Sequence, residues 1–311
     1  MSTTAELRKP RQRVGDRVFA GATFTAGLII LLALAGVAVF LTLEGLPALN
    51  APADKLGGAT SLLAYVAPLV FGTLLAAALA LLIATPLSIG VALVISHYAP
   101  RRLAKPLGYL VDLLAAVPSV VYGLWGLAFL GVRLSPAYAW LDEHLGWIPF
   151  FAGPASTTGR TILTASIVLA IMVLPIITAI TREIFVQTPT LNQEAALALG
   201  ATRWEMIRLA VFPYARSGIV SAVMLGLGRA LGETMAVAMV LSASGVVTFN
   251  LISNTNPSTI AANIALKFPD STGLAVNALI ASGLVLFVIT FVVNFAARWI
   301  VNRRREFSGA N

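Results

Sequence analysis

The stretch that decides the fold is LLAYVAPLVFGTLLAAALALLIATPLSIGVALVIS, residues 62–96, which contains no Asp, Glu, Lys or Arg. A helix needs about 20 apolar residues to cross the hydrocarbon core of a bilayer, because each residue advances it by about 1.5 Å. This stretch is longer, so it predicts a membrane-spanning helix that tilts, projects from the membrane or breaks. Pro86, followed by Gly90, marks the predicted breaking point.

Similar apolar runs recur along the chain. The predicted spans are residues 18–43, 62–96, 107–132, 161–180, 213–244 and 274–300. Pro118 and Pro175 are expected to kink the third and fourth spans. Composition agrees, because 58% of the 311 residues are hydrophobic and 11% are charged. The sequence therefore predicts an all-α, polytopic membrane protein with about six transmembrane helices.

The first run also has some features of a signal peptide, because basic residues precede it and Ala51-Pro52-Ala53 loosely matches a cleavage site. The apolar part of a signal peptide is about 7–15 residues long, and this run is longer. A retained first helix is therefore the prediction.

Most of the 21 Lys and Arg residues fall on one side of the predicted spans. Because translocation of cationic loops is disfavoured, that side is predicted to be cytoplasmic, together with both termini. The expected regions are a cytoplasmic basic N-terminus (1–17), a first transmembrane helix and outer loop (18–61), a transmembrane domain (62–300) with a cytoplasmic loop at 186–213, and a cytoplasmic basic C-terminus (301–311).

Several classes of function are disfavoured. A net charge of +8 is compatible with nucleic-acid binding, but the basic residues lie in short gaps between apolar runs and not on one soluble face. The absence of cysteine excludes thiolate catalysis and Cys-ligated metals. His97 and His144 are too far apart in sequence for metal-ligand spacing. No nucleic-acid partner and no metal site are expected.

The loop between the fourth and fifth spans is predicted to contain two short helices. Thr190 precedes Gln193 by three residues and Thr202 precedes Glu205 by three, the spacing of a capping box at each helix start. Between them Gly200 can adopt the positive φ that ends a helix.

The first of these helices carries Glu194, Ala195, Ala196 and Ala198. Its small side chains are suited to close insertion into a groove on another protein. An amphipathic connector that lies on the membrane surface is the alternative that periodicity leaves open.

The spacing of Glu194-Ala195-Ala196, Gly200 and Pro213 resembles the EAA motif of ABC importer permeases. This resemblance implies the fold of a type I ABC importer permease. It also implies that the first loop helix inserts into a cytoplasmic ATPase, with Glu194, Ala195, Ala196 and Gly200 transmitting ATP-driven closure to the membrane helices.

Charges inside the predicted spans are costly and usually face a bundle interior or water. Arg229 and Glu233 are four residues apart in the fifth span, so they are predicted to share a helix face and to pair. Gly228 and Gly232 form a small-xxx-small pattern that favours close approach of another helix. The pair of Arg229 and Glu233 then either locks helix packing or lines an anion pathway. Asp112, in the third predicted span, is expected either to pair with an arginine or to snorkel toward the membrane interface.

Two longer stretches, GLGRALGETMA at 226–236 and DLLAAVPSVVYG at 112–123, resemble the signatures of phosphate-specific permeases of the PstC type. This resemblance implies phosphate as the cargo. It implies a translocation path that contains Arg229 and Glu233, with Ser119 and Pro118 as further path candidates.

The same resemblance implies the partners and the location. They are a second homologous permease of the PstA type, two ATP-binding subunits of the PstB type, an extracytoplasmic phosphate-binding protein of the PstS type and the lipid bilayer of a bacterial cell membrane. The chain has no Gly-x-x-x-x-Gly-Lys-Ser/Thr loop. It is therefore expected to have no catalytic residues and to bind no cofactor, while the partner ATPase uses ATP and Mg.

Two other functions remain open from the residues alone. In an ion-coupled secondary transporter, Arg229, Glu233 and Asp112 would form a proton or substrate relay without an ATPase. In a membrane scaffold, the charged pair would serve packing only.

Overall fold

A computed structural model describes residues 14–305, so residues 1–13 and 306–311 of the predicted basic termini lie outside the described part of the chain. The α-helices in this part are α1 (Val14–Gly45), α2 (Leu62–Leu93), α3 (Arg101–Ala115), α4 (Ser119–Trp125), α5 (Gly131–Leu145), α6 (Ile162–Val186), α7 (Thr190–Ala198), α8 (Arg203–Met206), α9 (Phe212–Gly232), α10 (Met235–Val240), α11 (Ile260–Lys267) and α12 (Leu274–Arg305).

Shorter elements join or extend these helices. The 3-10 helices are Leu46–Asn50, Ala53–Leu56 and Phe268–Asp270, and the π-helical segments are Val94–Tyr98, Gly126–Leu130 and Ile207–Val211. The π-helical segments continue α2, join α4 to α5, and join α8 to α9. The strands β1 (Ala243–Ser244) and β2 (Asn256–Pro257) pair in parallel, with Ala243 opposite Asn256.

Six helical segments in the described part are long and apolar enough to cross a membrane. They are Gly15–Asn50, Leu62–Tyr98, Ser119–Leu145, Ile162–Val186, Arg203–Gly232 and Leu274–Trp299. The predicted all-α, polytopic fold is therefore confirmed. The prediction for the third span was wrong in its bounds, because α3 is a separate amphipathic helix and the spanning helix begins at Ser119.

Prolines interrupt the helices at only one of the expected places. Pro118 separates α3 from α4 in an extended conformation, with φ −59° and ψ 139°. In contrast, α2 runs through Pro86 and α6 runs through Pro175 without interruption. The predicted break in the second span was therefore wrong. Near Pro86, α2 is joined to α6 by the Ser88 hydroxyl, which donates to the Leu174 carbonyl oxygen at 3.1 Å.

The core lies where α2 packs against α6. Small side chains of α2 are completely or almost completely buried there: Ala76, Ala77, Ala80 and Ala84. They face larger side chains of α6 that include Leu169, Val173 and Ile177. Small residues at a helix interface let the two backbones approach closely, which increases van der Waals contact in a lipid environment. The α2–α6 pair is thus the frame on which the other helices pack.

The bundle has two distinct ends, which we call the α7 end and the α11 end after the short helices that lie there. At the α11 end, two connections, residues 146–161 and 241–259, form one ordered block. Leu251 N–H donates to the Phe150 carbonyl at 2.8 Å, and Ser156 N–H donates to the Ile252 carbonyl at 2.8 Å. The first of these connections is short, because α5 extends to Leu145.

Two glycines of α2, one in close contact and one in open space, give a test of this packing. A Cβ at Gly72 would lie 2.3 Å from the Ser258 carbonyl oxygen, whereas a Cβ at Gly90 has no neighbour within 4 Å. We expect Gly72→Ala to lower the free energy of unfolding by about 1–3 kcal/mol or more, since a backbone atom must move. Gly90→Ala, the control on the same helix, should be neutral or stabilising. Thermal unfolding of the full chain in detergent measures both, and equal melting temperatures would contradict the close contact.

Candidate functional site

The central feature of the site is a break in the fifth span. Helix α9 ends at Gly232, Glu233 is extended with φ −69° and ψ 127°, and α10 begins at Met235. Glu233 is only 8% exposed, and its Oε1 accepts a hydrogen bond from the Ala236 N–H at 3.1 Å. The carboxylate thereby satisfies one of the free N–H groups in the first turn of α10. The break is held by a side chain of the same segment.

The predicted pair of Arg229 and Glu233 is not formed. The ion pairs seen between side chains of residues 14–305, Lys55 with Asp54 and Arg182 with Asp112, involve neither of them. The reason is the helix break, which removes the shared helix face that the four-residue spacing assumed. Each charge lies instead at a helix end of opposite polarity, Arg229 in the last turn of α9 and Glu233 before the first turn of α10. Helix dipoles stabilise charges in these positions.

Arg229 is exposed and lines a cavity of about 910 Å³ between α6, α9 and α12. The lining side chains are Ile176, Val220, Ser221, Met224, Leu225, Gly228, Arg229, Asn294, Ala297 and Arg298. Among the residues that the structure describes, this lining contains two guanidinium groups and no carboxylate. A guanidinium offers several fixed hydrogen-bond donors, so the cavity has the chemistry of an oxyanion site.

Pro118 and Ser119 lie at the start of α4, beside the break, and not in the cavity. A Cβ at Gly123 would contact Ala236, and a Cβ at Gly126 would contact Val240, so α4 and α10 run in the same direction. Ser119 therefore lies at about the level of Glu233. The structure brings the two helix breaks together, and the described lining of the cavity includes neither Pro118 nor Ser119.

The expected helix contact at Gly228 and Gly232 is not made within the described part of this chain, as a Cβ added at either glycine would meet no atom within 4 Å. The glycines of α9 that do permit close packing are Gly218, against Ile184, and Gly226, against Ile177. The strip of Gly228 and Gly232 is left open.

Asp112 lies on α3 and not inside a spanning helix, which corrects its predicted depth. Its carboxylate is 3.7 Å from the guanidinium of Arg182 on α6. The expected pairing with an arginine is thus confirmed. Gly108 leaves room for this arginine, because a Cβ there would collide with the Arg182 guanidinium. The pair ties α3 to the bundle.

The loop at the α7 end has the predicted helix-glycine-helix arrangement. Thr202 and Glu205 form the expected capping box, whereas the predicted box at Thr190 is absent and Gln193 donates to the Thr188 carbonyl at 3.1 Å. Pro189 precedes α7, so Thr190 is already inside the helix. Gly200 has φ 85°, as expected.

The turn at Gly200 is a Schellman motif. Gly200 N–H donates to the Leu197 carbonyl at 3.0 Å, and Ala201 N–H donates to the Ala196 carbonyl at 3.2 Å. These bonds satisfy carbonyl groups at the end of α7 and fix the angle between α7 and α8.

Helix α7 has no buried residue. Glu194 and Ala195 are exposed, together with Leu191 at 74% and Leu199 at 89%. Ala196 is turned toward its own chain, where it packs against a cluster that includes Phe185. An exposed surface of this kind, with leucines around small residues, is typical of an interaction site.

Trp204 packs within the loop. Its ring meets Phe212 edge to face, with centroids 6.3 Å apart, and Phe212 meets Phe185 in the same way at 5.9 Å. The three rings connect the loop to the start of α9 and the end of α6.

The sequence interpretation did not identify Arg298, Ser221 or Asn294 as site residues. The available signal was the spacing of Asn294 and Arg298, which places two polar side chains on one helix face.

Comparison with known families and proteins identifies relatives of this chain. Residues 84–306 match the family model described as the binding-protein-dependent transport system inner membrane component. The chain is 46% identical over 304 residues to the phosphate transport system permease protein PstC 2 of Mycobacterium tuberculosis, covering 94% of this chain and 93% of that protein. It is 38% identical over 307 residues to the corresponding PstC of Mesorhizobium japonicum, covering 95% and 92%.

Solved structures share the fold at low sequence identity. A bacterial ABC transporter involved in the import of the acidic polysaccharide alginate matches with a TM-score of 0.56 at 17% identity, over 93% of this chain and 96% of that chain. The MetNI methionine ABC transporter, in an inward-facing conformation, matches with a TM-score of 0.50 at 15% identity, over 76% and 93%. Both support the fold of an ABC transporter permease.

The hydrogen bond at the helix break gives a second test. We expect Glu233→Ala to speed hydrogen–deuterium exchange at the Ala236 amide about 2- to 30-fold, because loss of a helix cap costs about 0.5–2 kcal/mol. Glu233→Gln keeps an acceptor oxygen and should preserve most of the protection. Exchange of the full chain in detergent, followed by mass spectrometry, measures the difference. Identical exchange in the two variants would show that the side chain does not hold the break.

Proposed function

The chain belongs to the family of binding-protein-dependent transport system inner membrane components, and on this basis we propose that it is the permease subunit of an ABC importer for inorganic phosphate. The observation that carries this function at the site is Arg229. Its guanidinium lines the cavity between α9 and α12 and has no carboxylate within ion-pair distance among residues 14–305. The cation is therefore available to a mobile anion. The names of the relatives point to the same cargo.

Within this function, Arg229 binds phosphate during translocation through charge-assisted hydrogen bonds. Glu233 acts as a positioning residue, since its carboxylate holds the break that follows Arg229. Pro118 and Ser119 belong to the path through the neighbouring break, where α4 starts at the level of Glu233. A path needs binding that is strong enough to admit the anion and weak enough to release it.

The exposed face of α7 is the proposed contact with an ATP-hydrolysing partner. Glu194 and Ala195 provide its surface, Ala196 secures it to the bundle, and Gly200 sets its angle to α8. The chain binds no nucleotide itself in this proposal, and ATP and Mg are used by two partner subunits of the PstB type. ATP-driven closure moves α7, and the ring contacts from Trp204 to Phe212 and Phe185 pass the movement to α9 and α6.

The remaining partners follow from the open surfaces. A second permease of the PstA type would cover the strip of Gly228 and Gly232, which no helix in the described part of the chain contacts. A phosphate-binding protein of the PstS type would dock at the α11 end, on the ordered block of residues 146–161 and 241–259. The α7 end is then cytoplasmic, as are both termini, in a bacterial cell membrane.

The secondary-transporter alternative needs Arg229, Glu233 and Asp112 to form one relay. The three residues do not form one relay. Asp112, on the amphipathic α3, pairs with Arg182 of α6, and the Glu233 carboxylate accepts a hydrogen bond at the start of α10. A scaffold function leaves the cavity and the unpaired Arg229 without a role. The importer is the function that uses both.

Uptake of labelled phosphate tests the cargo and the energy source. In cells that lack the chain, restoring it should restore ATP-dependent uptake of phosphate but not of sulfate. Arg229→Ala should reduce that uptake about 10- to 100-fold, because a hydrogen bond to a charged group is worth about 1.5–3 kcal/mol. Arg102→Gln, which alters an exposed arginine on α3, is the control. Uptake that persists after ATP depletion with the ion gradient intact would instead establish a secondary transporter.

The turn at Gly200 tests the coupling helix separately. A Cβ there has open space but a positive φ, so the penalty for other residues arises from the backbone and amounts to roughly 1–3 kcal/mol. Gly200→Val should abolish most uptake while membrane insertion remains normal. Gly200→Asn should retain much more, because Asn tolerates this conformation better than a β-branched residue does. Equal uptake by the two variants would contradict a rigid turn.

A further inference from the structure

The cavity contains a second cation that the proposed mechanism does not yet use. Arg298 on α12 lines the same space of about 910 Å³ as Arg229, and both side chains are exposed to it. Neither has a carboxylate within ion-pair distance in the described residues 14–305. An exposed guanidinium group without a carboxylate partner can bind an oxyanion through charge-assisted hydrogen bonds.

The two arginines lie at different depths. Helix α9 leaves the α7 end and α12 returns to it, so the helices are antiparallel. The lining positions on α9 recur every three or four residues from Val220 to Arg229, which corresponds to about 14 Å along the helix axis. Arg298 is the lining residue of α12 nearest to the α7 end, and Val220 and Ser221 are the lining residues of α9 nearest to that end. Arg229 therefore marks the end of the cavity nearer the centre of the bundle, and Arg298 marks the end nearer to α7.

The surroundings of Arg298 are polar as well as cationic. Asn294 precedes it by one helical turn on the same face of α12, and Ser221 lies across the cavity on α9. A guanidinium, an amide and a hydroxyl can all donate hydrogen bonds to oxygen. Met224 and Leu225 separate these groups from Arg229 along the wall. The hydrogen-bond donors therefore form two groups along the cavity wall, one at Arg229 and one at Arg298, with apolar side chains between them.

We propose that Arg298, with Asn294 and Ser221, forms a second oxyanion site of phosphate chemistry at the α7 side of the cavity. On the proposed function, which this inference extends, the anion is transported phosphate that moves from Arg229 to Arg298 before release. The headgroup of an anionic phospholipid carries the same phosphate oxygens and is the other source. Two weaker sites in series let an ion leave more readily than one strong site, as in other membrane pathways.

The chain contains no cysteine, so a single introduced thiol can report on this site. The full transporter with Ser221→Cys is treated with a small anionic methanethiosulfonate reagent and with a neutral one of similar size. We expect the anionic reagent to label the thiol several-fold faster than the neutral one. Inorganic phosphate at millimolar concentration should slow labelling by both reagents several-fold in delipidated detergent solution. A second arm uses vesicles with and without phosphatidylglycerol in the absence of free phosphate.

Variants in the Ser221→Cys background assign the effect to Arg298. Arg298→Gln should remove both the faster labelling by the anionic reagent and the protection by phosphate. Arg298→Lys should keep part of each effect. The control Arg102→Gln should leave both effects unchanged. Protection by inorganic phosphate identifies the transported anion, and protection only by phosphatidylglycerol identifies the headgroup. Protection in neither arm, or full protection with Arg298→Gln, overturns the site. Because labelling does not depend on uptake, a failure of phosphate uptake would count against the proposed function and not against this site.

Discussion

Hydrocarbon offers no hydrogen-bond partner to a peptide group, and the architecture of this chain depends on that constraint. A helix satisfies its own backbone, so the spans are helical, and every interruption must find another partner. At the break after Gly232 the partner is the Glu233 carboxylate, which accepts from Ala236 N–H. At the break before Pro118 the Tyr122 hydroxyl donates to the Leu114 carbonyl at 2.9 Å. The two breaks lie side by side, and the other irregular segments within the spans are π-helical or 3-10 helical and keep the chain helical.

The number and type of spans could be predicted because apolar length alone decides whether a helix fits the bilayer. Their bounds were harder to predict where an amphipathic helix adjoins a spanning one. The run 107–132 merged the end of α3 with the start of the helix that follows Pro118. Proline gave an ambiguous signal, because α2 continues through Pro86 where Ser88 and Leu174 connect it to α6. Local sequence does not contain that tertiary contact.

The candidate site could also be predicted only where local sequence decides the structure. Charge in an apolar run drew attention to Arg229 and Glu233, but the predicted pairing is not formed, because a four-residue spacing implies a shared face only while the helix continues. The break sends Arg229 into the cavity and buries Glu233 at the start of α10. In the loop, the Thr202 capping box and the Gly200 turn were correctly predicted, since both depend on local hydrogen bonds and φ. Arg298 was missed because its significance comes from a facing helix.

The packing of α1 has a consequence for biogenesis. This helix buries none of its most apolar window, and its main contact is with α12, where Asn277 donates to the Glu44 carbonyl and Gly45 lies against Ala281. A ribosome completes α1 more than two hundred residues before it completes α12. During that interval α1 resides in the bilayer without its partner, so its insertion must depend on its own hydrophobicity. The contact between α1 and α12 can form only after α12 has been synthesised.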